Sequence, residues 1–550
     1  MALPCYVSTS QPRKEILYTP MPVGNKMTAE NGTKKCLEVS SPPEHESADY
    51  EKAASAAGFG LFNYLLLLAA IPAAWSSLFN MGSATFILVA AECDLSLTTM
   101  RKGVLLSVVY IGMMTTAFLW ELLKDRVGRR LPVLYGLLAN ACCNIIISML
   151  NSYQLIVVLK FVTGFLVTGP LDMLTTYLME FHGAKNKALF AKWSGILFGL
   201  GNILLPALAF YIVPQSWSFT LIQDQLVYNS WRIYLLICSL PSVVGLVTIS
   251  ILPESPLQLM KSGRSDEALK LFKKMYSMNT RKSADTFPIK ELLPEEKEVE
   301  CISVRKRNSR KILKEWTETK VLFSRPNNFI FIGVLFIQFS SMLGSNTLRL
   351  WLPQLFSLLG NFVTDYPERG MLTMSETLRY QAMTSPGNQA TINSTITCIP
   401  PNLEPIILLN STIITTATVF GAIFAGLVGT ESTRRRIILV LTLAAGAASS
   451  FGINWGQSVP SMLVMAALII STARIASDTV NVSSNKVIPN TLRATAGSHV
   501  TAVGRLGVVF GSLMFPIFLE IGCLPALMFL GSILTASSVL SIFLERGPTD

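Results

Sequence analysis

The amino-acid sequence predicts an all-α membrane protein of twelve transmembrane helices arranged as two six-helix bundles. Three observations carry this. The 550-residue chain is 51% apolar and only 14% charged, against about a quarter charged in soluble domains, and its mean hydropathy is +0.47. Twelve stretches approach the roughly 20 apolar residues that a bilayer crossing requires. A hydrophilic segment, 257–328, divides them into two sets of six.

In chain order, residues 1–57 are polar and rich in Pro, Ser and Lys, without the apolar core of a signal peptide, and read as a tail. The first bundle, 58–256, holds spans at 61–90, 103–123, 131–150, 154–180, 188–213 and 231–252. The first span is too long for one straight crossing, so either Pro72 bends it or its outer end leaves the lipid. Pro253 and Pro256 open the connector, 257–328. Ser265-Asp266-Glu267 then caps a short amphipathic helix with Leu269, Phe272 and Met275 on one face. RKRNSRK follows at 305–311. It serves as a topology signal or lets Arg305, Lys306, Arg307, Arg310 and Lys311 contact anionic lipid. The second bundle, 329–545, holds spans at 329–352, 406–429, 437–454, 460–484, 494–519 and 524–544, with a long exoplasmic loop at 358–405 and a tail at 546–550.

Basic residues set the orientation. With the N-terminus inside, Lys124/Arg126/Arg129/Arg130, Lys185/Lys187, the connector, Arg434/Arg435/Arg436, Lys486/Arg493 and Arg546 are all cytoplasmic. The outer segments 214–230, 455–459 and 520–523 contain no Lys or Arg; Arg101, Lys102 and the loop after span seven are the exceptions. Both termini are therefore expected in the cytoplasm. The formal charge of +11 is juxtamembrane in origin and does not indicate nucleic acid. On this topology Asn393 of Asn-Ser-Thr is a candidate glycosylation site. Cys93, Cys398 and Cys523 face outward, where one bridge and one leftover thiol can form. Which pair bonds is not readable.

The nine cysteines show no CxxC spacing, and His45, His182 and His499 are scattered, so no metal or cofactor is expected. The sequence has no phosphate-binding loop and no nucleophile elbow. An enzyme or an ATP-driven pump is not expected.

Each half carries a basic hinge between its second and third spans, KDRVGRR at 124–130 and TESTRRR at 430–436, and related closing residues, LPESP at 252–256 and FLERG at 543–547. A duplicated six-helix unit accounts for both, with binding between the halves near the bilayer midplane. GMMTTAFLWELLKDRVGRR (112–130) resembles the loop signature of the major facilitator superfamily. GFGLFNY (58–64), AECDLS (91–96), LMEFHG (178–183), NSWRIYLLICSLPSVVGLV (229–247), LPESPLQLMKSGRSDEALKLFKKM (252–275) and IPNTLRATAGSHVTAVGRLG (488–507) resemble its synaptic vesicle glycoprotein 2 and organic ion transporter branch. The resemblance spans roughly 58–545 and implies a twelve-helix, alternating-access fold.

By that resemblance, Asp125, Arg126, Gly128, Arg129 and Arg130 form an inner-gate motif. Asp125 would bond a helix of the opposite half, while the arginines would meet acidic groups or helix-terminal carbonyls only when the inner gate is closed. The pattern also departs from the family. Glu121 stands where its signature has Gly, and the second hinge has Thr430 and Glu431 for Asp and Arg. Ser77 and Asn80 occupy the first-helix positions where vesicle-type members carry two acids, which puts proton coupling through that helix in doubt.

A charge at mid-membrane depth costs about 2.5–3.5 kcal/mol on insertion scales, so each one needs a reason. Asp172, Arg474, Asp478 and Arg505 are the central candidates for a substrate cavity. Arg474 and Asp478, four residues apart, either neutralise each other or face solute. Arg505 either contacts substrate or pairs with Asp172 or Asp478 across the halves. Arg349 and Lys160 are weaker candidates, nearer the outer face. Trp75, Ser77, Asn80, Tyr177, Trp193 and Asn346 supply polar and aromatic cavity surface, with packing the alternative role for each aromatic.

The expected function is secondary transport of a small organic solute, an ion by preference, in the plasma membrane or a vesicle membrane. The alternative is a vesicle-membrane glycoprotein that keeps the fold in a regulatory or scaffold role.

Overall fold

The computed structural model describes residues 47–222, 226–293, 316–324, 328–365, 373, 376, 405–429, 431–456, 458–489, 491–521 and 523–544; side chains at 117–119, 121–127, 221–222, 226, 361–365, 485–487, 494, 520, 521, 523 and 544 fall outside that description. A short helix, α1 (Tyr50–Ala56), precedes the first bundle. That bundle comprises α2 (Leu61–Ile87), α3 (Thr99–Val127), α4 (Arg130–Met149), α5 (Tyr153–Met179), α6 (Ala184–Gly199) with α7 (Gly201–Ile212), and α8 (Ser230–Ile251). The connector contains α9 (Pro256–Lys261) and α10 (Ser265–Thr280). The second bundle comprises α11 (Asn328–Asp365), α12 (Pro405–Val428), α13 (Ser432–Gly452), α14 (Val459–Val487), α15 (Arg493–Ile521) and α16 (Cys523–Leu544).

Among the described residues, 11 helical segments are long and apolar enough to cross a bilayer, α6 and α7 counting as one. The 29-residue α3 takes the remaining place, second in order. Many large apolar side chains face outward, among them Leu68, Tyr135, Val247, Phe336 and Phe424. Such an exterior is stable only against lipid, and every long helix satisfies its own backbone there. The protein is a multi-pass integral membrane protein.

The bundles repeat one packing scheme. In the first, α2 packs on α8, α3 on α5, and α4 on both α5 and α8; in the second, α11 packs on α16, α12 on α14, and α13 on both α14 and α16. Even the hinges correspond. Arg130 at the start of α4 donates to the carbonyls of Ile249 (3.4 Å) and Ser250 (2.5 Å) ending α8, and Arg436 of α13 reaches the carbonyl of Ile542 near the end of α16. Both place a cation at a helix C-terminus, where unpaired carbonyls concentrate negative charge.

Several elements differ in extent from the sequence reading. α2 continues through Pro72 and ends at Ile87. α11 runs to Asp365, into the stretch expected as loop. The segment 214–230 forms an antiparallel pair, Ser218–Ile222 with Leu226–Asn229. Ser265 does not cap α10: Arg264 holds the cap position, and no side chain bonds there. The buried face of α10 is Ala268, Leu271, Phe272 and Met275, with Leu269 at its margin.

The connector is fastened to the first bundle. Ser255 caps α9, its hydroxyl accepting from the Gln258 amide, with Pro256 at the first helical position. Asn279 of α10 donates to the carbonyls of Ala57 (3.0 Å) and Gly58 (3.2 Å) and accepts from the Phe62 amide. Phe272 and Met275 pack with Tyr50, Phe62 and Phe181 in one apolar cluster. Ser47 and Ala48 pair in parallel with Glu291 and Leu292. Residues 47–57, expected as part of a free tail, thus belong to this layer.

Candidate functional site

A cavity of about 730 Å³ lies between the bundles. From the first bundle it is lined by Lys192, Gly195 and Asn202, and from the second by Asn346, Arg349, Thr415, Thr418, Arg474 and Asp478, among others. Its height follows from these positions. On α12, whose far end is Pro405, the lining runs from Thr415 to Leu427; on α14 it runs from Ile470 to Val482; on α6 it starts at Ala191. The cavity therefore occupies the middle and the connector half of the protein. A Cβ built at Gly195, Gly199 or Gly426 would meet nothing within 4 Å, so the space there is open.

The far half is closed. Lys102 near the start of α3 is buried, ion-paired with Glu92 at 2.8 Å, and donates across the interface to the Gln354 amide oxygen of α11 at 3.0 Å. Beside it α3 and α15 approach so closely that a Cβ on Gly103 would lie 2.7 Å from the Ser512 carbonyl oxygen. α7 packs on α12 in the same half. Lys102, an exception to the charge rule in the sequence, belongs to this closure; only its place on the outer side, against that rule, hinted at that.

Inside the cavity Arg474 and Asp478 form an i, i+4 pair at 3.1 Å, with side chains 46% and 43% exposed to the open space. The Arg349 guanidinium donates to the Asn346 side-chain oxygen at 3.0 Å. The hydroxyls of Thr418 and Ser471 bond at 2.9 Å, joining α12 to α14. Among the described lining residues the charged ones are Lys192, Arg349, Arg474 and Asp478. Pairing of Arg474 with Asp478 leaves the surplus positive.

Of the expected cavity residues, Arg474, Asp478 and Asn346 line it. Arg349 does too, a correction to its lesser standing in the sequence. Arg505 does not; its guanidinium donates to the Met113 carbonyl of α3 at 3.3 Å and feels the charge of Asp172. Asp172 lies on α5, outside the lining. Ser77 and Asn80 are buried within the first bundle. Trp75 bonds the Leu197 carbonyl at 3.1 Å. Tyr177 is buried and donates to the Pro253 carbonyl at 2.5 Å, joining α5 to the connector. Trp193 is exposed on another face of α6 and is not part of the lining. A helix buries only one stripe against the cavity; residue type alone could not say which stripe.

The hinge motif is only partly visible. Asp125 and Arg126 have side chains outside the described residues. Gly128 ends α3 with φ of +77°, a left-handed conformation that a side chain would strain. Arg129 ion-pairs with Glu180 just past α5, and Arg130 holds α8. The kinds of partner are those expected, but both lie within the first bundle, and both contacts exist with the connector half open. These two arginines thus brace one bundle internally. Burial pushes the Glu180 carboxyl up, while the Ser255 hydroxyl and Arg129 hold it down. Nearby, burial pulls His182 down to about 4. Its ring packs 4.0 Å from Phe190, and its Nδ1 lies 2.9 Å from the Leu178 carbonyl.

The expected lipid-contact residues Arg305, Lys306, Arg307, Arg310 and Lys311, and the sequon residue Asn393, lie outside the described residues, as do Cys398 and the Cys523 side chain. Cys93 is disulfide-bonded, and its partner is none of the free thiols Cys142, Cys143 and Cys238.

Comparison with known proteins agrees with this architecture. The sugar (and other) transporter family profile matches residues 37–365, more than half of the chain. Synaptic vesicle glycoprotein 2A of Homo sapiens is 31% identical over 242 residues, covering 43% of this chain and 32% of that protein. Synaptic vesicle glycoprotein 2B of Rattus norvegicus is 29% identical over 239 residues, covering 43% and 35%. The matches thus span about a third of the length of those relatives. Among solved structures, the inward open conformation of the xylose transporter XylE from E. coli superposes with a TM-score of 0.61 at 13% identity, covering 88% of this chain and 98% of that one. Its partially occluded inward open form gives 0.59 at 14%, covering 89% and 100%. Fold, repeat and family match lead to one statement: the chain belongs to the sugar (and other) transporter family and has the major facilitator fold.

Proposed function

We propose that the protein is a secondary transporter that carries a small organic anion by alternating access, and that the described state is the inward-facing one. The observation that carries the reading is the cavity itself. It is built from both bundles, closed toward the far half, and carries Lys192 and Arg349 beyond the paired Arg474 and Asp478. Its volume falls in the range of about 300–1,000 Å³ typical of small-molecule sites. A cation in such a site is costly to leave without a counter-charge, and a carboxylate or sulfonate on an apolar body supplies one. The distribution of basic segments supports a cytoplasmic connector side. Opening outward then means breaking the Lys102–Gln354 contact while the connector halves of the bundles close, so solute shifts the equilibrium by its differential affinity for the two states.

Arg505 serves in this account as a tie between bundles, through Met113 and Asp172. The direct experiment is uptake of labelled organic anions, cations and zwitterions into proteoliposomes. Anion uptake supports the reading; uptake confined to cations overturns its charge assignment. A second reading, a vesicle glycoprotein that keeps the fold for a regulatory role, draws on the self-satisfied Arg474–Asp478 pair. Absence of thermal stabilisation by every solute tested would favour it, since binding to the folded state must stabilise that state.

A further inference from the structure

A second polar region lies away from the cavity, inside the first bundle. Lys160 of α5 is 0% exposed, and its ammonium donates to the Ser83 hydroxyl of α2 at 3.2 Å and to the Asn144 side-chain oxygen of α4 at 3.4 Å. The Asn144 amide donates to Asn140, and Asn140 donates to Ser76 (3.1 Å) and Ser242 (3.0 Å), whose hydroxyls bond each other at 2.6 Å. Four helices are thus joined by one polar seam.

Two features of the seam are unresolved by its own bonds. Among the described residues no carboxylate pairs with Lys160; the ionisable group acting on it is the Cys238 thiol of α8, which is itself bonded with Tyr234. Asn80, 2% exposed, has neither its amide nitrogen nor its oxygen bonded. Asn80 stands on α2 four residues after Ser76 and three before Ser83, so all three share a face. Along the helix its position falls between those of the two serines that enter the seam. A buried ammonium with only neutral acceptors lacks the counter-charge that offsets its desolvation. An unbonded buried amide carries a penalty of its own.

We propose that Lys160, Ser83 and Asn80 form a binding site for one small monovalent inorganic anion of the chloride type. The ammonium retains an N–H beyond its two bonds, the Ser83 hydroxyl accepts from lysine and keeps its own proton to donate, and the Asn80 amide offers two more donors. One cation fits one negative charge, and complete burial favours a small ion. Bound there, the anion neutralises Lys160 and fastens α2 to α5. The site is structurally independent of the solute cavity.

Thermal unfolding of the purified protein in detergent, titrating sodium chloride into sodium gluconate at constant ionic strength, reads this out. The wild type is expected to gain a few degrees in a saturable way. Asn80→Asp, which places a fixed carboxylate beside the ammonium, is expected to match the chloride-saturated wild type without chloride and to lose the response. Lys160→Met is expected to lose the response as well. A wild type indifferent to chloride, or an Asn80→Asp variant that responds as the wild type does, would overturn the assignment, whether or not Lys160→Met folds.

Discussion

The guanidinium of Arg505, halfway along α15, donates to the carbonyl of Met113, halfway along α3, and so links the two bundles at mid-height. Both helices belong to the interface between halves, yet the contact lies beside the cavity and not within it. A charged donor on a carbonyl is worth about 1.5–3 kcal/mol, enough to bias a two-state equilibrium by at least about tenfold. Arg505→Ala is therefore expected to reduce solute uptake by about tenfold or more with protein levels unchanged, whereas Arg505→Lys retains part of it. Undiminished uptake by the alanine variant would remove Arg505 from the coupling between bundles.

Lys102 makes the corresponding prediction for the far-side closure. Lys102→Met removes both the Glu92 ion pair and the Gln354 bond. With Glu92 about a third exposed, water recovers part of the loss, leaving about 1–2 kcal/mol. The outward-open population should rise about tenfold. Spin labels at Thr98→Cys and Leu524→Cys measure it: a longer distance component grows in the variant, and an unchanged distribution would show that the bond does not hold the closure.

Cavity charge gives a third. Arg349 is anchored by Asn346 and lines the space that a solute anion would fill. Arg349→Gln is expected to weaken apparent affinity for the transported anion by about tenfold, a value ordinary for one charge-assisted bond, while leaving thermal stability nearly unchanged. Equal affinity would place the anion elsewhere.

His182 sets a pH dependence. Its folded-state value of about 4 lies below the ordinary 6.5. Between those values the unfolded chain binds a proton that the folded protein refuses, so stability rises with pH across the window and is lost as pH falls from 6.5 toward 4, by up to about 3 kcal/mol. Glu180, held above its usual range, works in the opposite direction, so the informative quantity is a difference. His182→Phe, which keeps the packing on Phe190, should flatten the decline in melting temperature between pH 6.5 and pH 4.5 relative to wild type. Parallel curves would contradict it.

Much of the fold was legible because lipid imposes a coarse rule. A run of apolar residues long enough to cross must be a helix, and the long connector and matched hinges declare the repeat. The site was less legible. The i, i+4 spacing of Arg474 and Asp478 announced their pair, and Asn346 lies in the cavity as expected. Ser77, Asn80 and Tyr177 looked equally suitable but turn into the bundle or toward the connector, because a helix of mixed composition does not declare which stripe faces the partner half. Arg129 and Arg130 read as gate residues from motif position; their nearest acceptors, Glu180 and the α8 terminus, lie in their own bundle. Glu92, Lys102 and Gln354 come from three separate segments, and only the folded chain brings them together.

Sided accessibility of the cavity tests the account most directly. Gly195→Cys, in a background with Cys142 and Cys143 replaced by Ala, puts a thiol into open cavity space without displacing a neighbour. In sealed vesicles of known orientation, a membrane-impermeant maleimide should modify it from the cytoplasmic face, and a transported anion should alter that rate. Equal modification from both faces, or modification from the exoplasmic face alone with no effect of any solute, would contradict an inward-facing alternating-access transporter.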